Sequence, residues 1–353
     1  MKTPQTRGWL IGLFILILPG LILVACAQAQ TPAVEETAPA VEETAPVEEE
    51  VAPIDITVAR SGALAWPQVA IIEDQGYYED VGLNVESFYF VAGREAMDAL
   101  VGKQANIATV ALTPIVFAAF QDQPVAVVAE NASYPNNVIT ARKDANIATP
   151  EDLRGKKIGT ALGTDLHYFL DTFLTTYEMT EDDVEVINVP PNDLVLALSN
   201  GEIDAFSIWQ PLPWTAQQEM GDNIVFLKPP EGTYEARYLV VTMQDFLEQN
   251  PEAVKRFLQA FYMADKFIEA NPEEAKRIVA EDWEAPIEMV EGVWDGYRHG
   301  LRLEPTLITE AESQAQWAID TGNAPEGAAM PDYRNLIFPD YLREVAPDVV
   351  TLE

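Results

Sequence analysis

The stretch Lys157 to Val189, KIGTALGTDLHYFLDTFLTTYEMTEDDVEVINV, reads as one strand–helix–strand unit. Lys157 to Thr160 and Val184 to Val189 are short runs of strand composition, and Thr164 to Tyr177 between them has helical character. The same alternation extends outward in both directions. Ile56 to Ala59, Asn84 to Phe90, Val125 to Ala129, Val138 to Ala141, Ala205 to Ile208 and Arg237 to Thr242 read as strands. Pro67 to Gln75, Glu95 to Val101, Pro114 to Gln121 and Leu194 to Asn200 read as helices. Strands alternating with helices imply βαβ units and mainly parallel sheets, so the expected fold class is α/β. After Thr242 the chain turns largely helical, with Pro251, Pro272 and Pro286 suited to first helical turns. The body from Ile54 to Glu353 is long enough for two lobes with separate cores.

The N-terminus is of a different kind. Lys2 and Arg7 precede an apolar run from Trp9 to Val24, interrupted by Pro19 and Gly20 and short of the roughly 20 residues a membrane-spanning helix needs. These are the proportions of an export signal over residues 1–25. The junction Leu23-Val24-Ala25-Cys26 resembles a bacterial lipobox, which implies that Cys26 is lipidated and becomes the first residue of the mature chain. Cys26 is the only cysteine in 353 residues, so no internal disulfide can form. Residues 26–53 read as the lipidated cysteine followed by an acidic flexible linker. The heptad AVEETAP at Ala33 to Pro39 recurs unchanged at Ala40 to Pro46, and no aromatic residue is present to build a core. Such a tether reaches about 30 Å and allows a globular body to search the surface around its anchor. A formal net charge of -36 repels phosphate backbones and anionic headgroups, which excludes nucleic acid as a partner and leaves the lipid as the only membrane contact.

Several segments of the body carry a family resemblance. Asp74-Gln-Gly-Tyr-Tyr-Glu-Asp-Val-Gly-Leu-Asn-Val-Glu86, Ala92-Gly-Arg-Glu-Ala-Met-Asp-Ala-Leu100 and Gly102-Lys-Gln-Ala-Asn-Ile107 come first in order. Asp152-Leu-Arg-Gly-Lys-Lys-Ile-Gly159, Gly163-Thr-Asp-Leu-His167 and Gly201-Glu-Ile-Asp-Ala205 through Trp209-Gln-Pro211 follow. In order and spacing these resemble motifs of the nitrate/sulfonate/taurine/thiamine-pyrimidine family of ABC-transporter substrate-binding proteins. The resemblance implies a two-lobed periplasmic-binding-protein fold with two hinge strands, Val138 to Ala141 and Arg237 to Val241, and a ligand cleft between the lobes. It places lobe one at 54–138 plus 236–353 and lobe two at 139–235. The function it implies is delivery of a small molecule to an ABC permease and ATPase complex, by a monomer held outside the cytoplasm on its lipid anchor.

Ligands of open α/β sheets bind beyond the carboxyl ends of strands, where helix N-termini converge. On that basis the cleft is expected to be lined by Ser61, Gly62, Ala63 and Trp66 after the first strand, and by Gly93 and Arg94 opening the second helix. Thr109 and Thr113 before Pro114, then Gly163, Thr164, Asp165 and His167, and finally Trp209 and Gln210 complete the set. Trp66 and Trp209 are candidates to stack on the ligand. His299 reads as a helix-end residue without function. Asp165 stands where relatives often carry a small hydroxyl residue against a sulfonate, and a carboxylate there repels an anion unless it turns away or caps the helix. The substrate therefore remains open between a sulfonate-, taurine- or nitrate-like anion and a thiamine-precursor or flavin-like vitamin.

Other classes are disfavoured on chemistry. A thiamine-pyrimidine-synthase-like enzyme would need a cysteine-rich motif, whereas Cys26 lies outside the fold. Two distant histidines, His167 and His299, form no metal-ligand spacing, and no nucleophile elbow or phosphate loop appears. Neither cofactor nor metal is expected. A sensory module would need a signalling or membrane segment after the body, and none follows. Cys26→Ala is expected to leave an unacylated precursor that is released or mislocalised. Labelled fatty acid still incorporated into that variant would overturn the lipobox assignment.

Overall fold

The computed structural model describes residues 52–61 and 64–353. The expected signal peptide, Cys26 and the linker lie outside the described residues, as do Gly62 and Ala63.

Eleven strands among the described residues form two sheets. The first contains β1 (Ile54–Ser61), β2 (Leu83–Phe90), β3 (Ile107–Ala111), β4 (Val125–Tyr134), β10 (Ala236–Met243) and β11 (Arg298–Arg302). The second contains β5 (Ile139–Arg142), β6 (Lys157–Thr160), β7 (Glu185–Asn188), β8 (Ala205–Ser207) and β9 (Ile224–Leu227). Their orders are β11-β4-β10-β3-β1-β2 and β7-β6-β8-β5-β9. The sheets share a plan. In each, three parallel strands (β2-β1-β3 and β7-β6-β8) are followed by one antiparallel strand and then a further strand parallel to the first three. The antiparallel strand, β5 or β10, is the first that the chain makes after passing from the other sheet. The two passages are residues 135–138 and 228–235.

Local chemistry explains most element boundaries. Pro67, Pro251 and Pro272 each open a helix, where the missing N–H is not needed. Gly76 closes the helix Pro67–Gln75 at φ 72°, a left-handed conformation open to glycine without steric cost. β4 and β10 are buried along their whole length, and their apolar stretches Val125–Ala129 and Leu239–Val241 suit strands covered on both faces.

Three strands escape a reading of the sequence, and each for a physical reason. Ile107–Ala111 is short and runs straight into the helix Leu112–Phe120, so Thr109 lies inside β3 rather than in a loop. The expected threonine cap before Pro114 does not form: Ala111 occupies the cap position, and Thr113 already lies in the helix. β9 is four residues at a sheet edge. β11 has only one apolar side chain and carries Gly300 at φ 114°, yet it pairs antiparallel with β4. His299 therefore lies in a strand and not at a helix end. Pro286 likewise precedes the helix Ile287–Trp294 as its cap residue.

A buried ion triad ties β4, β10 and β11 together. Glu130 on β4 is fully buried and accepts from Arg237 Nη1 of β10 at 2.9 Å and from Arg302 Nη2 of β11. Burial pushes the Glu130 carboxyl up, and the two guanidinium groups pull it part of the way back. Removing Glu130 leaves two buried guanidinium groups without their shared partner, and breaking a buried ion pair commonly costs about 3–5 kcal/mol. Glu130→Ala is expected to lower the stability of the whole body by that amount, read as the shift in a urea unfolding midpoint. A loss under about 1 kcal/mol would show that the triad contributes little.

Candidate functional site

The strand ends of both sheets converge on one cavity. Its walls come from Ser61 and the following Leu64, Ala65 and Trp66, from Val91 and Gly93 after β2, and from Ala111 at the end of β3. The second sheet contributes Asp165 after β6 and Trp209 and Gln210 after β8, while Tyr238 of β10 and Tyr297 before β11 close the floor. Its volume is about 40 Å³, well below the roughly 300–1,000 Å³ of small-molecule sites, so a solute enters only if the walls part.

Close backbone approach makes part of this wall. A Cβ on Gly93 would lie 3.3 Å from Ala111 N and 3.6 Å from Ser61 Oγ, so a side chain there would press the ends of β1 and β3 apart. Ser61 donates its N–H to Thr109 Oγ1 at 2.9 Å, joining the same two strands. Beneath Trp66, Asn131 Nδ2 on β4 donates to Ala65 O at 2.9 Å. Asp265 accepts from Gln68 Nε2 and from Leu301 N, both at 2.8 Å, and burial pushes its carboxyl up to about 6. The aromatic side chains are held by one another. Trp66 meets Tyr238 edge-on with centroids 5.9 Å apart, and Tyr297 lies 4.4 Å from Tyr134. Behind Tyr297 the His299 ring is stacked at 5.5 Å, held neutral by burial that pushes it down to about 4.

Asp165 is the only charged residue among those lining the cavity. It is the first residue of the helix Asp165–Thr176 and is 5% exposed. Burial pushes its carboxyl up to about 7, although the backbone N–H groups of Asp165 and Leu166 favour the ionised form. Its Oδ2 has no hydrogen-bond partner, and neither does Gln210 Oε1.

Six of the expected residues thus meet in this cavity: Ser61, Trp66, Gly93, Asp165, Trp209 and Gln210. Arg94 and Gly163 instead line a neighbouring cavity of about 380 Å³ with Met97, Phe117 and Leu162. The remaining four are engaged inside the fold. Thr109 receives the Ser61 N–H, Thr113 Oγ1 donates to Gln314 Oε1 at 2.7 Å, and Thr164 Oγ1 donates to Ala161 O at 2.7 Å. His167 contacts Glu181 Oε1 at 3.0 Å and faces the Trp317 ring. Tyr238 and Tyr297 were not legible as wall residues. The one signal for Tyr238 is a hydroxyl directly before the apolar stretch Leu239–Val241 of its strand. Trp209 and Gln210 also line an outer cavity with Arg60, Tyr89 and Trp283, so they divide the inner space from the outer. Among the described residues, no group of three or more His, Cys, Asp or Glu is placed to hold a metal ion.

The profile of the NMT1/THI5 like family matches residues 69–275. The chain belongs to that family. It is 27% identical over 207 residues to the taurine-binding periplasmic protein of Escherichia coli, covering 58% of this chain and 63% of that protein. A putative aliphatic sulfonates-binding protein of Bacillus subtilis is 25% identical over 200 residues, covering 55% and 60%. The chain therefore spans about three fifths of the length of these relatives. Among solved structures, the alkanesulfonate-binding protein SsuA from Xanthomonas axonopodis pv. citri bound to MOPS superposes with a TM-score of 0.71 at 16% identity, over 82% of this chain and 99% of that one. The periplasmic nitrate-binding protein NrtA from Synechocystis PCC 6803 gives 0.64 at 18% identity, over 84% and 89%. The fold of this family member is the periplasmic-binding-protein fold.

The buried acid sets a pH dependence. Asp165 titrates near 7 in the folded protein and near 3.9 in an unfolded chain. Between those values the folded state holds a proton that the unfolded state has released, so stability falls as pH rises through that window. Asp265, pushed up to about 6, acts in the same direction. Asp165→Asn removes its own contribution. The melting temperature of this variant relative to the parent is expected to rise from little difference near pH 4 to a gain of a few degrees at pH 8. A difference that stays constant across that range would contradict the placement of Asp165.

Proposed function

We propose that this chain is the extracytoplasmic solute-binding component of an ABC importer, held at the membrane by a lipid on Cys26 and delivering a small molecule to a permease and ATPase complex as a monomer. Residues 54–138 plus 236–353 form one lobe in this reading and residues 139–235 the other, joined by the passages at 135–138 and 228–235. The observation that carries it is the cavity at the strand ends of two sheets, walled by residues of both. A solute seated there touches both lobes and stabilises the closed arrangement by its differential affinity. Membership of the NMT1/THI5 like family supports the reading, as do relatives named for binding taurine and aliphatic sulfonates.

A binding protein of this kind gains stability on loading. At 100 times its dissociation constant a ligand adds about 2.7 kcal/mol. A melting-temperature screen of the purified protein against sulfonates, nitrate, bicarbonate, thiamine precursors and riboflavin is expected to return a solute that binds 1:1 without turnover. Trp209 is half-buried at the boundary of the inner and outer cavities. Its truncation to Ala should weaken that solute at least tenfold, which corresponds to about 1.4 kcal/mol. Trp66 is 5% exposed and packed on Tyr238, so Trp66→Ala should lower stability as well as affinity. Turnover of a solute, or unchanged binding by Trp209→Ala, would count against this placement of the site.

A further inference from the structure

The unpartnered polar atoms on the cavity wall are of one kind. The two unpartnered side-chain atoms on its wall, Asp165 Oδ2 and Gln210 Oε1, are both hydrogen-bond acceptors. Among the described residues, no lysine, arginine or histidine lines it. The nearby arginines are committed elsewhere: Arg60 pairs with Glu73 at 3.1 Å and with Asp282 at 3.2 Å in the outer cavity, and Arg94 lines the neighbouring one. The rest of the wall is mostly apolar and includes four aromatic side chains, Trp66, Trp209, Tyr238 and Tyr297. Aromatic faces carry negative potential and attract cations.

A buried acceptor without a donor is costly, and a ligand that supplies the donor recovers that cost. A carboxylate gains most from a charged N–H donor, because such hydrogen bonds are about twice as strong as neutral ones. A plain anion gains nothing from either acceptor and is repelled by one of them. The helix starts at Gly93 and Leu112 do favour negative charge near Gly93 and Ala111. An anionic tail is therefore tolerated on that side, but it does not answer the group at Asp165.

We infer that the solute carries a cationic nitrogen group with at least two N–H donors, an ammonium, amidinium or guanidinium, which seats between Asp165 and Gln210 against the aromatic wall. This rests on the solute-binding reading above and narrows it: an amine-bearing solute is selected over a simple sulfonate or nitrate.

Three probes separate the possibilities by titration calorimetry on the whole mature protein. Taurine carries an ammonium and a sulfonate, ethanesulfonate only the sulfonate, and benzamidine only a planar amidinium. Taurine or benzamidine should bind at least tenfold more tightly than ethanesulfonate. Asp165→Asn, which keeps the shape and removes the charge, should weaken the amine-bearing probes about ten- to hundredfold. Gln210→Leu should weaken them by a smaller factor. Ethanesulfonate binding as tightly as taurine, or amine-bearing probes bound equally by the parent and Asp165→Asn, overturns the inference while leaving the solute-binding reading intact. If none of the three binds but the broader melting screen finds a ligand, the class inferred here is wrong. If that screen finds none either, the solute-binding reading fails with it.

Discussion

β10 enters the first sheet antiparallel, between β3 and β4, and the floor of the cavity depends on that insertion. Leu239 lies opposite Val110 on one side and Glu130 on the other, and this register points Tyr238 up against Trp66. Glu130 fixes the placement chemically, because its two carboxylate oxygens are claimed by Arg237 on β10 and by Arg302 on β11. A slip of one residue would reverse which side chains face the cavity and leave the carboxylate facing apolar surface. The return of the chain from the second sheet and the shape of the binding floor are thus one constraint.

Polarity in the cavity follows from what surrounds it. Parallel strands deliver loops and helix starts to a common edge, and those starts bring partial positive charge. Asp165 sits at one such start, where two backbone N–H groups stabilise one oxygen while the other faces an aromatic enclosure. Burial outweighs the stabilisation, so the acid titrates near neutrality in the free protein. Tyr234, Tyr238 and Tyr297 stand around it with their phenols raised by burial and by the acid's charge, and they remain neutral. The site is accordingly acidic in a place shielded from water, where charge complementarity discriminates more strongly than on the surface.

Much of this was legible in the sequence because the alternation of apolar runs with helical segments survives folding intact. The helices at Pro67–Gln75 and Leu194–Asn200 and the strand at Lys157–Thr160 match their readings residue for residue. What was missed lacks local signal. β11 owes its existence to pairing and to an ion pair with a residue about 170 positions earlier, not to its own composition. Cavity residues were legible where a glycine or a helix start marks the end of a strand, as at Gly93 and Asp165. They were not where a tyrosine reaches the cavity from the middle of a strand, as Tyr238 does. Thr109, Thr113 and Thr164 show the converse: hydroxyls near strand ends suit a ligand, but partners inside the fold, two of them distant in sequence, satisfied them first.

The second sheet is built entirely from the segment between β4 and β10, and its first strand pairs with its last: Ile139 lies opposite Leu227. This arrangement bears on the order of folding. Before the second sheet forms, β10 must find β3 and β4 across a loop of about a hundred residues, 135–235. Once β5 and β9 are paired, the ends of that loop are already neighbours, and only about a dozen flexible residues remain to be ordered at 135–138 and 228–235. On chain-closure scaling the shortening lowers the entropic cost by about 2 kcal/mol. The inserted segment therefore serves as a splint, and the larger sheet completes most readily after the smaller one has folded.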